Sequence, residues 1–343
     1  MFQRPDPAAI KYLLIPGLHA GAAAATMSVE PRRSRARPHA RPLMRRGCME
    51  EPVQFEHRPF RADHAVALLS RPYPQAKVQA ADLGLFALMT FRLAEPLALS
   101  DLAGPADLCY VRIARGELRI GSLTRHADLL SSAVAGEHLA ILRDAGRAIA
   151  SREIRCSETI GGMLCQADPA EDMAAVFAAV RASMVIRGRG GTRTVSARDF
   201  HRGPYETVVQ PGELLTEIRI PIRPCGSAYE KVSRRAGGCP VTGAAAVVWL
   251  DGDTVTAAGL ALTPGGAQHR GPMAAEEFLA GARVTRASLE RAGEFAAGHC
   301  ECSAELRHPA RDPQCMAGHL ASQALGRALL RARGQDAPLA GFR

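Results

Sequence analysis

The spacing of apolar residues changes period several times after residue 49, and each change marks an element. Asp63 stands as an N-cap before His64–Ser70, where Ala65, Leu68 and Leu69 share one helical face, and a strand-like Lys77–Ala80 comes next. Cys109–Ile113 and Glu117–Gly121 flank the turn Ala114-Arg115-Gly116 and predict a hairpin. Thr124 then caps a short helix through Leu130, and residues 137–150 read as an amphipathic helix. A further helix is predicted over 172–180. A second hairpin joins Met184–Gly188 to Thr192–Ser196 around Arg189-Gly190-Gly191, and Ile218, Ile220 and Ile222 alternate along a strand ending near Pro221–Pro224.

The turn-rich stretch Pro224-Cys225-Gly226-Ser227 marks a boundary, because the C-terminal third of the chain has a different pattern. Val241–Leu250 and Thr254–Leu262 are joined by Asp251-Gly252-Asp253, a strong hairpin signal, and three helical stretches come after them, near 273–280, 286–297 and 316–332. Antiparallel hairpins succeeded by helices predict an α+β fold and lack the strand-helix alternation of a doubly wound sheet. No G-x-G-x-x-G and no G-x-x-x-x-G-K-[ST] occurs, so the main warrants for Rossmann and P-loop nucleotide binding are missing.

Composition changes this picture in one respect. The 343 residues are 47% hydrophobic and 22% charged, enough to bury two or three globular units. The net charge of +9 invites a nucleic-acid reading, but residues 1–48 hold 9 Lys/Arg against 2 Asp/Glu, which leaves the body nearly neutral. We expect residues 1–48 to be a disordered Arg-rich tail, or translated sequence ahead of a start at Met49. A weak signal-peptide pattern over 10–26 is interrupted by Pro16, Gly17 and His19. Nine irregularly spaced cysteines read as reduced cytosolic thiols, and Cys300-x-Cys302 lacks the second ligand pair that a zinc knuckle needs. No apolar run is long enough to span a membrane.

Three places could carry chemistry. In Thr159-Ile160-Gly161-Gly162-Met163 the paired glycines would let backbone N–H groups approach an anion such as a diphosphate, or would merely form a turn. Asp172 opens the helix 172–180, where a carboxylate is favourable anyway, and could equally accept hydrogen bonds from ribityl or ribose hydroxyls. Lys231 is one of only three lysines among 43 basic residues: either a compact cation for an electron-rich ring or phosphate, or a solvated surface charge. No Ser, Cys or His nucleophile has a recognisable base at a supporting spacing.

At these residues the chain from Met49 resembles the FAD-binding medium subunit of molybdenum hydroxylases of the carbon monoxide and xanthine dehydrogenase type. The resemblance rests on an ordered set of short motifs: Phe55-Glu56-His57-Arg58-Pro59, Phe91-Arg92-Leu93-Ala94-Glu95-Pro96, Leu118 to His126, Thr159-Ile160-Gly161-Gly162, Ala167-Asp168-Pro169-Ala170, Pro211 to Glu217 and Tyr229-Glu230-Lys231.

The resemblance implies a PCMH-type FAD-binding domain of two α+β lobes over 49–224, and a C-terminal domain of antiparallel sheet plus helices over 225–343. It implies FAD contacts at Thr159, Ile160, Gly161, Gly162 and Met163, the second diphosphate segment, and at Asp172, Leu215 and Lys231. A first diphosphate segment would lie at Ala80 to Gly84. It also implies a cytoplasmic complex, a dimer of heterotrimers, with a large molybdenum-cofactor subunit and a small subunit carrying two 2Fe–2S clusters. No nucleic acid and no membrane segment belong to it, and this chain would have no catalytic or metal-ligating residue of its own.

Its flavin would pass electrons from the iron–sulfur clusters to an external acceptor, the redox chemistry being the cofactor's own. The family's Ala-Gly-Gly-x-Ser is here Ala80-Ala81-Asp82-Leu83-Gly84, and Gly-Asp-aromatic is Gly237-Gly238-Cys239. An Asp82 carboxylate about 4 Å from a phosphate would be repelled by about 1 kcal/mol in water-like surroundings. The alternative is therefore a divergent scaffold subunit of the same complex with weak or no FAD binding. A stand-alone flavin oxidase is a third reading, with no covalent attachment site visible.

Overall fold

The computed structural model describes residues 54–55, 61–70, 76–80, 89, 98–102, 105–149, 151–233, 240–263, 271–299 and 313–335. The fold is α+β. Strand β1 (Gln54–Phe55) precedes helix α1 (Ala62–Leu69), and β2 (Ala76–Gln79) pairs in parallel with β3 (Ala98–Asp101). Next in the chain comes a five-stranded antiparallel sheet, ordered β4-β5-β10-β6-β7, from β4 (Val111–Ala114), β5 (Glu117–Gly121), β6 (Ser183–Gly188), β7 (Gly191–Ser196) and β10 (Leu214–Pro221). Both predicted hairpins form. The β4–β5 turn holds Arg115 and Gly116 at φ of 55° and 73°, the mirror-image geometry that matches strand twist.

Between β5 and β6 run six short helices: α2 (His126–Ser131), α3 (Ala133–His138), α4 (Ala140–Ala148), α5 (Arg152–Ser157), α6 (Ile160–Gln166) and α7 (Asp172–Ala179). Helix α8 (Ala197–Phe200) and the small β8 (His201–Gly203) and β9 (Glu206–Thr207) pair lie between β7 and β10. The C-terminal part is a three-stranded antiparallel sheet, β11 (Gly226–Ser233), β12 (Pro240–Asp251) and β13 (Thr254–Thr263), packed with α9 (Met273–Leu279), α10 (Arg286–His299) and α11 (Pro313–Ala332).

Helix α7 is the hinge of the architecture. Its sequence is apolar all round after the first residue, and every one of its residues is buried, which is what a helix between two sheets requires. Its first end meets β11 through Asp172 and Lys231, and its last end meets the C-terminal sheet so closely that a Cβ on Gly259 would sit 2.1 Å from the Ala179 carbonyl oxygen. There Arg198 Nε donates to the Ala178 carbonyl (3.2 Å), its two terminal nitrogens hold Glu276 of α9, and Glu276 Oε1 also accepts from Leu260 N at 2.7 Å. A third fastening is Asp144 of α4, which takes Arg331 at 2.5 Å and Arg327 at 3.4 Å from α11.

Several local expectations are corrected. Asp63 is not the cap of α1, whose boundary residue is Arg61; Asp63 pairs with Arg187 at 2.5 Å, and the free N–H of Ala62 is met by Asp107 Oδ2. Thr124 does not cap α2, because its hydroxyl is spent on both backbone groups of Tyr110. The helix expected over 137–150 is two, broken at Leu139, where φ and ψ are −139° and 86°. Tyr229 and Lys231 lie within a strand that the hydrophobic pattern did not identify, and the expected boundary at 224–227 runs into its start.

Candidate functional site

At the start of α7 a buried carboxylate is shared by two side chains from β11. Lys231 Nζ donates to Asp172 Oδ2 at 2.6 Å and to the Ala148 carbonyl at 3.2 Å, and the Tyr229 hydroxyl donates to Asp172 Oδ1. The Lys231 and Asp172 side chains are 6% and 5% exposed, so the reading of Lys231 as a solvated surface charge is corrected. The helix ends explain the placement: Asp172 stands at the positive end of α7, and Lys231 reaches an unpaired carbonyl at the negative end of α4. Burial pushes the Asp172 carboxyl up against the opposing pull of the Lys231 ammonium, and burial with the neighbouring Asp172 charge drives the Tyr229 phenol well above its usual range.

Strand register decides which side chains meet. Lys231, Gly243 and Thr263 lie opposite one another across β11, β12 and β13, and Tyr229 sits two positions away on the same face. A Cβ on Gly243 would come within 2.4 Å of the Tyr229 hydroxyl, so a residue without a side chain is what lets the phenol cross the sheet to Asp172.

The second group centres on Thr159. Its hydroxyl donates to the Ala80 carbonyl at 2.6 Å and accepts from Gly162 N at 3.1 Å, which makes it the N-cap of α6 and ties the start of the expected first diphosphate segment to the second. The stretch read as a glycine loop or turn is thus the first turn of a helix. Its N–H groups donate within the protein: Ile160 to Thr124 O (2.9 Å), Gly161 to Ser122 O (2.7 Å), Gly162 to Thr159 Oγ1, and Met163 to Thr159 O (3.1 Å). Gly161 is required by packing, since a Cβ there would lie 2.6 Å from Ser122 Cβ. Beside this turn, Ser122 Oγ and His126 Nε2 are buried with no hydrogen-bond partner among the described residues, and burial, aided by the Arg155 charge, lowers the His126 pKa to about 4.

Leu215 is buried on β10 next to a bulge between Leu215 and Glu217. Ile160, Met163, Met173, Leu215 and Tyr229 belong to one continuous apolar core, which holds both polar groups in place. Gly84, with Ala81 and Asp82, lies outside the described residues, as does Gly237 to Cys239. Tyr229, Ser122 and Gly243 were not singled out as site residues by sequence; Tyr229 was visible only as a member of the Tyr229-Glu230-Lys231 motif.

The family models match in the same order as the two parts of the fold. The model for the FAD binding domain in molybdopterin dehydrogenase covers residues 52–223, and that for the CO dehydrogenase flavoprotein C-terminal domain covers 227–331. The chain belongs to the FAD-binding medium-chain family of molybdopterin dehydrogenases. Relatives of this family include the carbon monoxide dehydrogenase medium chain of Afipia carboxidovorans, 35% identical over 82% of this chain and 99% of that one. Among solved structures, reconstituted CO dehydrogenase from Oligotropha carboxidovorans superposes with a TM-score of 0.77 at 33% identity, covering 82% of this chain and 98% of that one. Quinoline 2-oxidoreductase from Pseudomonas putida 86 gives 0.75 at 25% identity, covering 83% and 98%.

The residues present suit a polar cofactor of this family. Lys231 has three ammonium protons, of which two have acceptors among the described residues, and Ser122 Oγ is a buried hydroxyl with none. Buried donors left over in this way are the groups a bound ligand would satisfy. Among the described residues no helix is long and apolar enough to cross a membrane.

Proposed function

We propose that this chain binds FAD and serves as the electron-transferring flavin subunit of a molybdenum hydroxylase complex. The domains are 49–224 for the PCMH-type flavin domain and 225–343 for the C-terminal flavoprotein domain. The observation that carries the reading is Lys231: a buried cation, fixed by Asp172 and Ala148, with a donor to spare. When bound, FAD supplies the redox chemistry.

The chain's own residues bind, orient and exclude water. Thr159 holds the first turn of α6 against Ala80, which brings the start of the first expected diphosphate segment beside the second. Asp172 pairs with Lys231 where both side chains are buried, so the two charges compensate each other inside the protein. Leu215 and its core neighbours give the ring system an apolar seat. In the complex, a small subunit with two 2Fe–2S clusters delivers electrons, a large subunit carries the molybdenum cofactor, and the assembly is a dimer of heterotrimers in the cytoplasm. An external acceptor takes the electrons from this chain.

Titration of the full chain with FAD, monitored by flavin fluorescence and absorbance, tests the reading. Saturable binding of about one FAD per chain is expected. A folded, monodisperse chain that binds none, alone and with its partner subunits, would leave a scaffold role instead.

A further inference from the structure

Tyr229 carries a cost that packing alone does not explain. A buried hydroxyl must give up water, and a phenylalanine would fill the same apolar space without that loss. Gly243 adds a second cost, since the strand forgoes a side chain there to leave the phenol a path. Both costs are offset at one atom, Asp172 Oδ1, which accepts the Tyr229 hydrogen bond.

The carboxylate has two oxygens and two jobs. Oδ2 holds the Lys231 ammonium at 2.6 Å, and Oδ1 is held by Tyr229, so the plane of the carboxylate is fixed from both sides. Without the phenol, Asp172 would be free to turn about its terminal torsion and the ammonium would move with it. Lys231 is attached by a flexible four-carbon stem, and among the described residues Asp172 and the Ala148 carbonyl fix where its remaining proton points. The opposite end of α7 shows the contrast. There the fastening is Arg198 on Glu276, and all three guanidinium nitrogens are used. The guanidinium fork grips both oxygens of its carboxylate, whereas Lys231 holds one oxygen of Asp172 and leaves the other to Tyr229.

We infer that Tyr229 is a positioning residue for the flavin site: through Asp172 it sets the direction of the uncommitted Lys231 proton, and Gly243 is the opening that lets it do so. The inference rests on the reading that FAD binds here. It assigns roles to two residues of the C-terminal sheet, so the flavin site is completed by both domains.

The test uses the full-length chain, stripped of flavin and titrated with FAD, together with redox potentiometry of the reconstituted flavin. Tyr229→Phe should weaken FAD binding about tenfold, the scale of losing one hydrogen bond to a charged group, and should make the flavin potential more negative as the cation loses its fixed place. Gly243→Ala should shift both quantities in the same directions. Lys231→Met should weaken binding, and adding Tyr229→Phe to it should weaken binding no further, because the phenol acts only through the ammonium.

A Tyr229→Phe chain with wild-type affinity and potential would overturn the positioning role and leave FAD binding standing. Equal, multiplying losses from Tyr229→Phe in the presence and absence of Lys231 would also overturn it, since general loosening of the fold behaves that way. A wild-type chain that binds no FAD would overturn both readings together. Should Tyr229→Phe fail to fold, the Gly243→Ala chain alone and in the Lys231→Met background decides the matter by the same two measurements.

Discussion

The two ends of α7 solve one mechanical problem with different chemistry. Each end ties the flavin-domain half of the chain to the C-terminal sheet through a buried carboxylate and a cation, and each sign agrees with the helix dipole: Asp172 at the start, Arg198 and Arg181 near the end. At the far end every polar atom of the Arg198 guanidinium is committed, and Glu276 additionally receives Leu260 N. At the near end the cation is a lysine, two of whose three ammonium protons have acceptors among the described residues. The difference is one of geometry: the guanidinium fork takes both oxygens of Glu276, whereas the Lys231 ammonium takes one oxygen of Asp172 and Tyr229 takes the other.

Glu276→Ala should break this comparison most sharply. Leaving Arg198 buried and unpaired should cost about 3–5 kcal/mol in denaturant unfolding. FAD affinity of the folded fraction should stay at the wild-type value; a large drop would mean that the two ends are not separable.

Acid should act next, beside the Thr159 turn. His126, buried beside the Thr159 turn, has a folded pKa of about 4, below the usual 6.5. Its neutral form is the one the fold accepts, so its contribution is complete above pH 6.5 and is lost as the pH falls through 4, by up to about 3 kcal/mol. His126→Gln should flatten the stability profile between pH 6.5 and 4, measured by chemical denaturation at each pH. A profile as steep as wild type would remove His126 from the account.

Gly259→Ala sharpens the contrast with Gly243. Its Cβ would meet the Ala179 backbone oxygen at 2.1 Å, which only a shift of α7 could relieve, and about 1–3 kcal/mol of stability should go. Calorimetry should record the loss, and an unchanged melting temperature would show that α7 and the sheet can separate freely at this contact. The smallest effect belongs to Arg286→Ala. That side chain is 93% exposed in its pair with Glu290, and its removal should change stability by less than about 0.5 kcal/mol. A larger loss would show that surface pairs matter here as much as the buried ones.

Much of this was legible beforehand. The β6–β7 and β12–β13 hairpins arise from short alternating runs around Gly-rich turns, and the three C-terminal helices from helical spacing. What failed were assignments that required knowing a distant neighbour. Thr124 looks like a helix cap, but Tyr110 competes for its hydroxyl; Asp63 looks like a cap, but Arg187 takes it and Asp107 fills the vacancy. Gly161-Gly162 looks like a flexible loop because glycine is rare in helices, yet Ser122 leaves no room for a Cβ and the helix forms around that contact.

Lys231 is the clearest case. Its scarcity in an arginine-rich chain marks it out, but scarcity does not distinguish a solvated charge from a buried one. The sequence by itself determined the α+β class, the hairpins and C-terminal helices, and the family, because these depend on local periodicity and on ordered short motifs. Only the tertiary structure decided that Asp172, Tyr229 and Lys231 converge, that Gly243 makes the passage, and that α7 is fastened by a guanidinium fork at one end and by an ammonium and a phenol sharing one carboxylate at the other. Those facts depend on strand register and helix packing between residues far apart in the chain, where a one-residue slip would turn each side chain to the opposite face.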